Sequence, residues 1–134
     1  MKIKFLATGR APKTYKINGE TINGYDLSVV EYGGFFIWNE EIEKAGIRNV
    51  FRDEDGTLFV TLKQCVISSK IPGKKAHWRE SEYMDISDYN STKCYVVPTG
   101  VADLAEGKDY QIVKGLDCTG TEGWTITEIK NDLV

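Results

Sequence analysis

Turn signals interrupt this chain so often that no long regular element fits between them. Asn18-Gly19, Asn23-Gly24, Gly33-Gly34, Asp55-Gly56 and Pro72-Gly73 punctuate the first part of the chain. Asn-Gly between short β-branched or aromatic runs is the strongest local hairpin signal, because a type I′ turn needs positive φ at both centres. The runs themselves alternate. Lys2-Ile3-Lys4-Phe5-Leu6 carries apolar residues at every second position, the period of a half-buried strand. A loop over Thr8–Pro12 follows, and Thr14–Ile17 and Glu20–Ile22 then flank the first Asn-Gly. The second comes five residues later, so one of the two has to be a bulge or a looser turn. Leu27–Val30 and Phe35–Trp38 flank a further turn at Glu31–Gly34.

One segment reads as a helix. Asn39 can cap free N–H groups, Glu40 and Glu41 suit the positive end of the dipole, and Gly46 can take the left-handed stop. Ile42 and Ala45 face inward, but two turns hold only if tertiary packing holds them. Ile47–Arg52 and Thr57–Ile67 then form a hairpin around Asp53-Glu54-Asp55-Gly56, with Leu58, Val60 and Leu62 on one face and Phe59, Thr61 and Lys63 on the other. Beyond the polar loop Ser68–Lys75, Glu82–Ile86 and Lys93–Val97 read as strands, and Thr99–Gly107 as a single helical turn. Tyr110–Val113 and Trp124–Ile129 close the pattern, separated by the glycine-rich Gly115–Gly123. Short strands and frequent turns predict a mostly β, β-rich α+β single domain, antiparallel and barrel- or sandwich-like, with one short helix.

At 134 residues the chain has the length of one domain and can bury roughly two-thirds of its surface without disulfides or a metal. No run of 18 apolar residues is present, so no membrane-spanning helix is expected. The apolar stretch after the basic start is Phe5-Leu6-Ala7, too short for a signal-peptide core, which points to a soluble, intracellular protein. Cys65, Cys94 and Cys118 are odd in number and widely spaced, and His77 is the sole histidine, so neither a disulfide framework nor a zinc site is expected. The thiols read as small core or near-surface residues.

The formal net charge of −3 hides a segmental pattern. Residues 1–19 hold five cations and no acid, and residues 63–79 do the same. Residues 20–62 set nine acids against three cations, and residues 80–134 set eleven against four. Two basic segments lying side by side would present one positive patch on an acidic body, suited to phosphates or an acidic partner. The other arrangement pairs neighbouring strands of opposite charge across a sheet.

Lys74-Lys75-Ala76-His77-Trp78-Arg79-Glu80-Ser81-Glu82-Tyr83 concentrates the residue types that do chemistry. On a strand His77 and Glu80 point to opposite faces, which weakens an acid–base pair, while Lys75, His77 and Arg79 share one face with Trp78 opposite. That makes a recognition edge, or a half-buried strand. No G-x-S-x-G nucleophile elbow and no phosphate-binding glycine motif occurs, and the acidic clusters lack calcium-loop spacing. No catalytic residue, cofactor or metal is expected. Fifteen aromatic residues and the basic segments leave a nucleic-acid binder as the alternative, against a sequence pI near 5.2.

In Ile22–Ser28, Ala45-Gly46-Ile47-Arg48, Arg52–Gly56 and His77–Ser81 the chain resembles small uncharacterised proteins encoded by tailed phages and prophages, often near tail genes. The resemblance implies a protein of the host cytoplasm or the virion that works by contacts, as an assembly accessory. The expectation is therefore a non-enzymatic interaction module with a protein partner, or a homo-oligomer covering its sheet edges. The expected contact surface is Arg10, Lys74, Lys75, His77, Trp78 and Arg79.

Overall fold

The computed structural model describes residues 1–32, 39–71, 76–101 and 110–129. These hold eleven strands and one α-helix: β1 (Lys2–Thr8), β2 (Ile17–Asn18), β3 (Thr21–Ile22), β4 (Tyr25–Asp26), α1 (Glu40–Ala45), β5 (Ile47–Arg52), β6 (Leu58–Cys65), β7 (Ala76–Arg79), β8 (Met84–Asp85), β9 (Val97–Val101), β10 (Tyr110–Leu116) and β11 (Glu122–Glu128). The β-rich expectation with one short helix holds.

The main sheet runs β5-β6-β1-β8. β5 and β6 form the expected antiparallel hairpin, and β8 pairs antiparallel with the start of β1. The central pair departs from expectation, because β1 and β6 are parallel, from Lys2 opposite Phe59 to Thr8 opposite Cys65. Parallel neighbours need a long crossover, and here it consists of residues 9–57 with β2–β5 and α1 inside it. Alternation then sorts the faces. Ile3, Phe5, Leu58, Val60 and Leu62 point inward and are at most 1% exposed. Lys2, Lys4 and Leu6 share the outer face with Phe59, Thr61 and Lys63. No closed barrel forms among the described residues, since β5 and β8 end the sheet.

α1 is built as its sequence dictates. Asn39 is extended and accepts a hydrogen bond from the Ile42 N–H at 2.9 Å, while Gly46 stops the helix at φ 81°. Buried Ile42 and Ala45 fix it to the core, and the Gly46 carbonyl accepts from the Lys63 N–H at 2.8 Å, tying the helix end to β6.

The two Asn-Gly pairs resolve differently. Asn23 and Gly24, at φ 49° and 80°, form the I′ turn between β3 and β4. In the first hairpin Asn18 pairs with Thr21, so Gly19 and Glu20 are the turn centres and positive φ falls on Gly19 alone, the II′ pattern. Leu27–Val30 is not a strand, although Leu27 is fully buried. Phe35–Trp38 lies outside the described residues.

The C-terminal half corrects two expectations. Val97–Val101 is a strand paired with β7, so Thr99 opens no helical turn, and residues 102–109 lie outside the described set. The last hairpin is longer than expected, with Gly115 opposite Gly123 inside the ladder. These glycines lie in the strands because the hairpin packs on the chain beyond β6. A Cβ at Gly123 would lie 2.9 Å from the Ile67 side chain and 3.0 Å from Cys65 Sγ. Backbone bonds from Ile67 N to the Trp124 carbonyl (2.8 Å) and Lys70 N to the Ile126 carbonyl (2.9 Å) complete the docking.

Candidate functional site

The structure describes four of the six expected contact residues, Arg10, His77, Trp78 and Arg79. His77 and Arg79 are exposed on one face of β7, and Trp78 turns to the other face and packs against the core, as strand alternation requires. β7 lies antiparallel to β9 with a bulge between His77 and Trp78. Arg10 is exposed in the loop that leaves β1, where Thr8 Oγ1 donates to the Arg10 carbonyl at 2.7 Å. Lys74 and Lys75 lie outside the described residues.

The two basic segments meet through the parallel β1/β6 pair, and four of their cations have carboxylate partners. Lys2 pairs with Asp85 at 3.4 Å, Lys4 with Glu80 at 3.2 Å, Lys13 with Glu122 at 3.7 Å, and Lys63 with Glu43. Each of these carboxylates comes from one of the two acidic segments, so the four pairs join basic segments to acidic ones. Exposed pairs such as Lys2–Asp85 and Lys13–Glu122 contribute little to stability individually, about 0–1 kcal/mol. Asp85 is further held below the usual carboxylate range, chiefly by the Ser87 N–H, then by the Ser87 hydroxyl and by Lys2.

The outer face of the main sheet carries the aromatic surface. Cross-strand partners Phe51 and Phe59 stack with ring centroids 4.9 Å apart and planes 6° from parallel. Tyr83 meets Phe59 edge-on at 5.1 Å, and the Lys4 ammonium sits 4.9 Å over the Tyr83 ring. Phe51 is 40% and Tyr83 37% exposed. Beside them lies an open trough lined by Lys4, Leu6, Arg48, Asn49, Thr61 and Glu80, with a volume of about 360 Å³. Sequence reasoning had the means to find the Phe51–Phe59 pair, since the hairpin register sets those rings opposite each other. Tyr83 joins them only through β8, which no local signal places beside β1.

The thiols are held in their unreactive form where they are covered. Burial pushes Cys94 up to about 12, and burial followed by the Asp117 charge raises Cys65. A thiol held protonated is a poor nucleophile. Among the described residues no group of three or more His, Cys, Asp and Glu is placed to hold a metal ion, and no described helix is long and apolar enough to cross a membrane. Comparison with known protein families, with curated proteins and with solved structures finds no match.

Proposed function

We propose that this chain is a non-enzymatic interaction module that takes a protein partner on the outer face of its main sheet. The observation that carries the reading is the cluster of exposed Phe51 and Tyr83 around half-buried Phe59, bordered by paired charges. An apolar, aromatic centre with a polar rim is the anatomy of a protein interface. Lys2 and Lys4 already hold carboxylate partners, which leaves Arg48 as the remaining cation of the trough and favours protein over nucleic acid. Raised thiols at Cys65 and Cys94 fit a role without nucleophilic chemistry. The resemblance of the sequence to phage and prophage proteins supports reading such a module as an assembly accessory of the host cytoplasm or virion.

The test is capture from native lysate with wild type and with Phe51→Ser/Tyr83→Ser, each with and without nuclease, alongside thermal midpoints. The expected result is a protein partner that survives nuclease and is lost with the double variant, at a midpoint close to wild type. Equal capture by both proteins overturns the assignment of this face. The stacked pair also offers a surface on which a base can stack. Nuclease-sensitive capture whose affinity falls steeply with salt selects that second reading. Recovery of the chain itself in the eluate identifies a homo-oligomer.

A further inference from the structure

On the inner side of the same sheet a second concave site has a different character. It lies where the loop after β1, the end of β6, the segment around Ser91–Lys93 and the β10–β11 hairpin meet, and encloses about 30 Å³. It shares no lining residue with the outer trough. Lys13, Lys93 and Lys114 line it from three separate parts of the chain, and Glu122 is the one carboxylate among the lining residues. The fourth lysine of the lining, Lys63, has its ammonium on Glu43. Three further lysines therefore line the cleft beside one carboxylate.

Glu122 is shared. Its Oε2 lies 3.7 Å from Lys13 Nζ and its Oε1 lies 3.6 Å from Lys114 Nζ. Both separations exceed hydrogen-bond length, so the carboxylate brings two ammonium groups together without saturating either. Lys114 is also positioned from below, with its Nζ 5.3 Å over the Trp124 ring. The floor cannot shift easily, because Gly123 is packed against Cys65 and Ile67 with no room for a Cβ. Ser91 adds a hydroxyl to the lining. Lysines lining one cleft from three parts of the chain, two of them brought together at Glu122, fit an oxyanion with several acceptor atoms.

We infer that this cleft binds a phosphoryl group, with Lys93 and Lys114 as its principal cationic contacts and Lys13 closing over the exposed side. The Glu122 carboxylate competes with the ligand for those ammonium groups. The phosphoryl group belongs either to a small phosphate or to a nucleic-acid backbone, and both present the same oxygens. The site is independent of the outer face, so either assignment stands if the other fails.

The experiment is a titration followed by amide and indole NMR shifts, using inorganic phosphate and, separately, a short oligothymidylate. Sodium chloride at matched ionic strength is the control. Saturable shifts at Lys114, Gly123 and Trp124 with phosphate are expected, absent with chloride. Lys93→Gln and Lys114→Gln should each weaken phosphate binding by roughly fivefold or more, as loss of a charge-assisted hydrogen bond does. Glu122→Gln should tighten it several-fold by removing the competing carboxylate, a change that a merely structural role for Glu122 would not produce. A nucleic-acid source shows as tighter binding of the oligothymidylate at the same residues, a small-phosphate source as equal or weaker binding. Shifts identical with chloride overturn the site, as does saturable binding untouched by the two lysine changes.

Discussion

Arg52 grips Glu20 with two nearly parallel hydrogen bonds, Nη1 to Oε2 at 2.8 Å and Nη2 to Oε1 at 3.1 Å. The same guanidinium donates from Nε to the Val30 carbonyl at 2.6 Å and from Nη1 to the Gly56 carbonyl at 2.8 Å. One side chain at the end of β5 thus fastens the β2–β3 turn, the segment after β4 and the β5–β6 loop. Only a planar, many-donor fork can do this.

Arg52→Ala is therefore expected to cost about 2 kcal/mol, read as a lowered thermal or denaturant midpoint. Arg52→Lys should recover only a minor part, because an ammonium cannot be bidentate. The Arg52 hydrogen bonds hold the Glu20 carboxyl below the ordinary glutamate range. A lowered folded value means stability that is present at neutral pH and lost as pH falls through that value. The gap in midpoint between wild type and Arg52→Ala should accordingly shrink on acidification. A gap constant from neutral to strongly acidic pH would contradict the pairing.

Tyr15 is buried between α1 and the sheet, its hydroxyl donating to the Lys63 carbonyl with the Gly46 carbonyl 3.2 Å away. Tyr15→Phe takes this donor from the Lys63 carbonyl, while the Gly46 carbonyl keeps the Lys63 N–H, and should destabilise by about 1–3 kcal/mol. Burial raises the Tyr15 hydroxyl well above the ordinary tyrosine range. With the folded value above the unfolded one, its contribution is intact below about pH 10 and erodes as pH rises beyond it. In an alkaline absorbance titration Tyr15 should ionise only with unfolding, and Tyr15→Phe should remove that late step. Ionisation of every tyrosine in the folded protein would refute this.

Gly115 and Gly123 face each other in the last hairpin, yet they differ in room. A Cβ at Gly115 would meet its nearest neighbour, the Thr125 methyl, at 3.3 Å, whereas at Gly123 it would lie within 3.2 Å of the Cys65 carbonyl as well as two side chains. Gly123→Ala should cost about 1–3 kcal/mol by overpacking, and Gly115→Ala clearly less. Equal costs would show that the hairpin does not pack on Cys65–Ile67 in this way.

The three thiols should react in a set order. Cys118 is exposed, whereas Cys65 and Cys94 are partly covered and raised. A disulfide reagent near pH 8 should label Cys118 rapidly and the other two only under denaturant, as mass spectrometry of the labelled peptides would report. Fast native labelling of Cys94 would contradict its burial.

Where a local rule has one physical solution, the sequence is legible to the residue. Asn39 and Gly46 bracket α1 because cap and stop chemistry leave little choice, and Leu58, Val60 and Leu62 are buried because period-2 alternation has one inward face. Partner choice between strands is different. Alternation in Lys2–Leu6 announces a strand but says nothing about a parallel neighbour more than fifty residues away. Gly115 and Gly123 resemble loop residues until the side chains that need their space are known.

One local signal was readable and has now a structural meaning. Asp53-Glu54-Asp55-Gly56-Thr57 and Asp117-Cys118-Thr119-Gly120-Thr121 share the pattern Asp-x-x-Gly-Thr and form the same loop. In each, the aspartate Oδ1 accepts from the N–H groups two and four residues on, and the glycine takes positive φ, at 82° and 85°. The pattern marks both long hairpins. The outer-face site was half legible, since the hairpin register implies Phe51 against Phe59, while Tyr83 and Glu80 arrive by tertiary packing alone.

The parallel seating of β1 against β6 also sets an order of events. Every β1 pairing in the main sheet reaches forward by more than fifty residues, to β6 or to β8. Until the β5–β6 hairpin exists, the first strand has no template, and its alternating apolar residues wait exposed. Closure of so large a loop places this chain among slow folders of high contact order. During synthesis β1 is made well before its partners and cannot dock until β6 has followed it, which exposes its unpaired edge to other chains meanwhile.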